Sequence, residues 1–180
     1  MLSKESLEAF KKQYKEEYGK NLSDDESLAI ALFENAVIHA QNFNSRLKQE
    51  LGEELDSDTQ TKLAEEISSC SLALICIYLS RDKKFDTIHL LVLDEYSKFI
   101  KNYSGAENEE QEKAISEFLS DKLRSNIMWL STPLEEKALI HKIASKVSDI
   151  APSITDKYKP LVERLVREIE KSMEHFGIIN

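Results

Sequence analysis

Along most of the chain, apolar residues recur at steps of three and four, the period of an amphipathic helix. Leu7, Phe10, Tyr14 and Tyr18 set that spacing at once and predict a first helix over 3–18, with Gly19 placed to end it. "NLSDDESLAIAL" then supplies a start signal. Ser23 stands three residues before Glu26, the spacing of a capping box, and acid fills the first turn. From there Ala29, Leu32, Phe33, Ala36, Ala40, Phe43, Leu47 and Leu51 hold one face until Gly52. A helix over that stretch is long enough to span the molecule, or else it breaks near 42–44.

"LDSDTQTKLAEE" offers Asp56, Ser57 or Asp58 as the next cap, and the third helix carries Leu63, Ile67, Cys70, Leu74, Ile77 and Tyr78 inward. Over "CSLALICIYL", residues 70–79, no side chain is charged, and from Leu72 to Leu79 nearly every face is apolar. A helix with no polar face must be surrounded by others, so this run predicts the central helix of a bundle, ended by "RDKKFD". It is about half the length a membrane helix requires.

Asp86 is placed to cap a fourth helix with Ile88, Leu91, Val92, Tyr96, Phe99 and Tyr103 inward. A loop follows in which Ser104 with Glu107, or Asn108 with Gln111, has capping-box spacing. The fifth helix carries Ile115, Phe118, Leu119, Leu123 and Ile127 inward as far as Trp129. "STPLEE" predicts the sixth, with Thr132 at the cap, Pro133 at the first helical position and Glu135 closing the box. Leu139, Ile143, Val147 and Ile150 form its face. After "APSITDKYKP" a last helix aligns Leu161, Leu165, Val166, Ile169, Met173 and Phe176 before Gly177.

The expected fold is therefore all-α: a single bundle of about seven helices over 1–180, with 1–22 as a peripheral helix and turn that is the most polar part. The composition agrees, because 4 Gly and 3 Pro in 180 residues are too few for a turn-rich β fold.

Charge narrows the choice of partner. The net charge is −9, and residues 1–60 carry 13 acidic against 7 basic side chains, whereas residues 121–180 are nearly balanced. Such a surface repels phosphate backbones and anionic lipid headgroups, which speaks against direct nucleic-acid or membrane binding and favours another protein with a basic surface. Glu53, Glu54, Asp56 and Asp58 form one acidic cluster, and Glu107, Glu109 and Glu110 belong to a second. Tyr14 and Tyr18 form an aromatic stripe that either packs on the bundle or docks a partner. These nine residues are the candidate partner-binding positions.

Motifs that would name a reaction are missing. Cys70 and Cys76, six apart, are rotated about 120° and separated by roughly 9 Å along a helix, too far for a disulfide or a shared metal. Two buried, reduced thiols suit the cytoplasm, as does an opening segment too charged for a secretory signal. His39, His89, His141 and His175 make no His-Glu-x-x-His element, and Asp86 before His89 is the closest approach to a Glu-x-x-His ligand pair. His89 reads as a half-buried ring bonded to its own helix cap. His39, beside Asn35 and Asn42, reads as a solvated edge.

Asp56, Asp58 and Gln60 match positions one, three and five of a calcium loop, but the match fails at Thr61, where Gly belongs, and at Ile67, where Glu belongs. In the last helix Lys157, Arg164, Arg167 and Lys171 are laced with glutamates, which reads as paired surface charge. No catalytic residue, cofactor or metal site is assigned. Three functions remain as expectations. The first is a non-enzymatic cytoplasmic module binding a protein through an acidic face or an inter-helix apolar groove. The second is an acidic inhibitor that imitates nucleic acid. The third is a small helical metal-dependent hydrolase centred on His89 or His141.

Overall fold

Every residue from Ser69 to Leu79 is buried, so the apolar run is the centre of the molecule. The computed structural model describes residues 4–51, 55–103, 105–132 and 135–179. The chain forms α1 (Lys4–Tyr18), α2 (Asp24–Leu51), α3 (Ser57–Leu79), α4 (Asp86–Tyr103), α5 (Glu109–Leu130), α6 (Glu136–Ile150) and α7 (Thr155–His175). Two 3-10 turns, Lys83–Phe85 and Pro152–Ile154, lead into α4 and α7. The fold is the all-α bundle that the periodicity predicts. Among the described residues no helix is long and apolar enough to cross a membrane. Ser3, Gly52, Glu53, Glu54, Ser104 and Pro133, each given a role by the sequence pattern, lie outside the described residues.

Helices α2, α4, α5, α6 and α7 all pack on α3, while α1 packs on α2. Leu63, Ile67, Leu74, Ile75 and Leu79 of α3 are fully enclosed, meeting Leu32, Leu130, Leu139, Ile143, Ile169 and Met173 in one core. No described side chain of α1 is fully buried, so this helix is the periphery. Side-chain contacts between helices fix the directions. His39 with Ser172 and Arg46 with Glu168 make α2 and α7 antiparallel. Tyr96 with Leu119 and Lys101 with Glu112 do the same for α4 and α5. Glu66 with Lys122 and Ser69 with Asn126 make α3 and α5 parallel, so their N-termini share one end of the bundle.

The caps show which local signals the chain obeys. At α2 the box closes both ways: Glu26 N–H donates to Ser23 Oγ at 3.1 Å, and Ser23 N–H donates to Glu26 Oε2 at 2.8 Å. α2 then runs unbroken for 28 residues, ~42 Å at 1.5 Å each. Asp56 caps α3, and Asn108 caps α5 with Gln111 accepting from Glu107 N–H. Gly19 closes α1 at φ 68°, in the left-handed region where a Cβ would be strained.

Four expectations are corrected. Asp86 does not cap α4: Asp82 caps the 3-10 turn by accepting from Lys84 N–H, and Asp86 already has helical backbone. Thr132 does not cap α6, which starts at Glu136 with Glu135 at the cap position and no side-chain cap bond. The Thr132 carbonyl instead accepts from Lys142 Nζ. α7 begins at Thr155 and carries Pro160 inside it, because burial of Ile154, Tyr158 and Leu161 at helical spacing holds the segment across the proline. Phe118 is 62% exposed, since the buried line of α5 is Leu123, Asn126 and Leu130, about 80–140° round the helix from it.

The α2 box gives a pH test. Its bonds from Ser23 and then Lys20 hold the Glu26 carboxyl down at about 2, so its contribution is complete above an unfolded value of 4.5 and is lost as pH falls through about 2. Glu26→Gln keeps the box geometry without the charge. It is expected to melt below the wild type at pH 7, with the two melting temperatures converging between about pH 4.5 and pH 2. A gap that does not change with pH would mean that ionisation of Glu26 adds nothing.

Candidate functional site

Parallel α3 and α5 place the described acidic candidates at one end of the bundle, yet several already have local work. Asp56 Oδ1 accepts from Thr59 N–H at 2.8 Å and Oδ2 from Thr59 Oγ1 at 2.8 Å, bonds that hold its carboxyl below the usual range. Asp58 pairs with Lys62 at 2.6 Å. Glu109 and Glu110 lie exposed in the first turn of α5, where carboxylates favour the helix dipole, and Glu107 lies exposed just before it.

The aromatic candidates lead to a different place. The Tyr14 and Tyr18 rings meet at a tilt, 4.6 Å between centroids, and form one wall of a groove of about 530 Å³. α2 contributes Ile30, Phe33, Glu34, Val37 and Ile38, and α4 contributes Glu95, Lys98, Phe99 and Asn102. Steps of three and four in α2 put its residues on one face, and the Phe33 and Phe99 rings meet at 5.7 Å. Phe33, Val37 and Phe99 also line a narrower slot of about 150 Å³ that reaches Ser68 and Leu72 of α3. Groove and slot therefore form one depression with its floor on the central helix. Tyr18, Ile38 and Phe99 are 63%, 51% and 38% exposed, whereas Leu90, Met128 and Trp129, also exposed, line neither.

The rim is acidic. Burial pushes the Glu34 carboxyl up, and the neighbouring Glu17 and Glu95 charges push it further. A bond to Glu17 likewise raises the Tyr18 phenol. Lys98 is the cation among the described lining residues, and it is held by Asp94 at 2.6 Å and Glu95 at 2.7 Å.

The histidines are scattered. His39 is corrected from a solvated edge to a bridge: its ring is 12% exposed, Nε2 meets Ser172 Oγ at 3.0 Å, and Nδ1 stands 3.6 Å from Glu168. Burial lowers its pKa against the pull of Glu168. His89 is not bonded to a helix cap, because its Nε2 is buried with no hydrogen-bond partner among the described residues, and burial outweighs Asp86 in lowering its pKa. His141 lies exposed in a cleft of about 660 Å³ between α6 and α7, whose lining mixes Lys137 and Lys159 with Asp149 and Glu163. There the Tyr158 hydroxyl donates to the Ala144 carbonyl at 3.1 Å. Among the described residues no group of three or more His, Cys, Asp and Glu is placed to hold a metal ion.

One polar cluster escaped the sequence reading. Glu66, on the core face of α3, takes Lys146 at 3.1 Å, Lys122 at 3.4 Å and the Asn126 amide at 3.0 Å, and that amide also reaches Ser69 Oγ at 2.9 Å. Burial pushes the Glu66 carboxyl up more than any other single influence, but Lys146, Asn126 and Lys122 together outweigh it and hold it ionised. Its signal was present: Glu66 lies three residues from Leu63 and four from Cys70, and Asn126 is spaced likewise between Leu123 and Leu130. The cluster holds no ready nucleophile. Cys70 Sγ, 3.7 Å from Glu66, has its thiol pushed far up by burial and by that carboxylate, and burial raises Cys76 to about 12.

Because the cluster ties α3 to α5 and α6, removing one cation tests it. Lys146→Met leaves a buried carboxylate short of charge and is expected to cost about 1–3 kcal/mol at pH 7. With its folded pKa then raised, Glu66 takes up a proton as pH falls, so the deficit shrinks toward about pH 4. A deficit that is constant over that range, read by urea unfolding, would assign Lys146 a packing role alone. No family model matches the chain, and comparison with curated proteins and with solved structures likewise found no match, so the functional argument rests on this geometry.

Proposed function

We propose that this chain is a non-catalytic protein-interaction module that seats a segment of a partner protein in the depression between α1, α2 and α4. The observation that carries the reading is the convergence of exposed Tyr18, Ile38 and Phe99 on one groove, continuous through Phe33, Val37 and Phe99 with a slot that reaches the central helix. Exposed aromatic and aliphatic side chains around a concave, preformed site are the usual makings of a binding hot spot, because burying them on association repays the ordering cost. The floor belongs to the best-packed helix, so little reorganisation is needed on binding. Two buried free thiols and a surface of net charge −9 fit a reducing, cytoplasmic setting and a partner of opposite charge.

Affinity capture from a lysate of the source cells, at low salt and at about 0.5 M salt, tests this with two variants in parallel. A stoichiometric partner is expected on the wild type and is expected to be lost from Ile38→Arg, which places a long cation in the groove without disturbing the core. Loss from Glu109→Gln with Glu110→Gln, with retention by Ile38→Arg, would overturn the groove reading and point to the acidic end and the imitation of nucleic acid. No partner on any variant would contradict the module reading.

A further inference from the structure

Resting on that reading, we infer that the segment seated in the groove is an amphipathic, positively charged helix, which drops one large apolar side chain into the slot above Leu72 and sets Lys or Arg against Glu34. Three features of the site support this choice of occupant.

The first is size. A dry cavity of about 150 Å³ is the volume that takes a benzene-sized group, and the slot between Phe33, Leu72, Tyr96 and Phe99 measures about 150 Å³. A Leu, Met or Phe side chain therefore fills it, and the wider groove outside it accommodates the body of a helix.

The second is charge. Glu17, Glu34 and Glu95 stand about the groove, and Lys98 is already engaged by Asp94 and Glu95. Glu34 is paired with no cation among the described residues, and its carboxyl is pushed up by burial first and then by the Glu17 and Glu95 charges beside it. A guanidinium or ammonium from a partner relieves that repulsion, whereas an acidic segment adds to it.

The third is backbone chemistry. The walls are helices whose main-chain groups are bonded within themselves, so among the described residues there is no sheet edge for an extended strand to join. What helices offer is side chains only, and a peptide that satisfies its own backbone as a helix matches such a wall. Anchors at i, i+3 or i+4, and i+7 then face the groove.

Selection of a phage-displayed random library of peptides roughly 16 residues long, ~24 Å as helix, against the full chain tests this. Enriched sequences are expected to carry apolar residues at helical spacing together with two or more Lys or Arg. The synthetic peptide is expected to gain helical circular dichroism on binding and to lose about tenfold or more in affinity with Ile38→Arg or with Glu34→Lys, while Phe118→Ala leaves it unchanged. Both groove substitutions lie at exposed positions, and unchanged melting of each variant excludes unfolding as the cause.

Enriched peptides that are acidic or neutral, that bind without helix formation, or that ignore Glu34→Lys would overturn the inference while leaving the module reading in place. Enrichment absent altogether would overturn it too, and capture of a partner dependent on Ile38 would then show that the module reading stands without it. Self-association of the chain that Ile38→Arg abolishes would assign the groove to a second copy and overturn it as well.

Discussion

A helix with no polar face has to be enclosed on all sides, and α3 from Ser69 to Leu79 is such a helix. Five other helices surround it. Burial of this segment supplies the main driving force, but it is non-directional and by itself permits sliding and rotation of the helices around the hub. Glu66 removes that freedom. A buried carboxylate must be answered by charge and hydrogen bonds, and only one register of α5 and α6 brings Asn126, Lys122 and Lys146 to it together. His39 with Ser172 and Tyr78 with Glu170 at 2.8 Å serve α7 in the same way, as polar contacts that fix how it lies against α2 and α3.

The functional proposal depends on that arrangement. Because the floor of the groove is α3 itself, its depth is set by the core, while its walls come from elements with less invested in the core. α1 is bound to α2 through the Lys11 and Asp24 pair, its Phe10 and Tyr14 are half-buried, and no described side chain of it is fully buried. The two faces of the site thus differ in kind: a rigid apolar floor, and an aromatic, acidic rim that remains in water. Exposed ion pairs such as those of α7, Arg164 with Glu168 and Arg167 with Glu136, neutralise the basic strip and leave no comparable feature there.

Where apolar residues alone carried the signal, the fold was legible in the sequence. The central position of α3, the Ser23–Glu26 box and the Gly19 stop follow from spacing and side-chain chemistry that act within a few residues. Failures arose where tertiary contacts override local chemistry. Pro160 is carried inside α7 by the burial of its neighbours, Phe118 is turned out because Asn126 is drawn in, and Thr132 gives its carbonyl to Lys142 instead of capping a helix. The candidate site was half visible for the same reason. Tyr14 and Tyr18 stood out as a stripe, but Glu34 and Ile38 join them only through the packing of α1 on α2, and Phe99 only through that of α4 on α2, which no local pattern in these helices encodes. Glu66 was hidden by its type: a glutamate among glutamates reads as surface until its partners, 56 to 80 residues later, are in place.

Native-state hydrogen exchange tests the central claim, that α3 is the hub on which the other helices and the groove floor depend. The account predicts that amides of α3 between Ser69 and Leu79 exchange slowest, with a free energy equal to that of global unfolding, while α1 opens separately and far more easily. Amides of α2 and α4 beneath Phe33 and Phe99 should follow α3 rather than α1. If α3 instead exchanged through a partial opening that left α2 and α4 protected, the bundle would not be organised around it, and the groove would lack the preformed floor on which its proposed role depends.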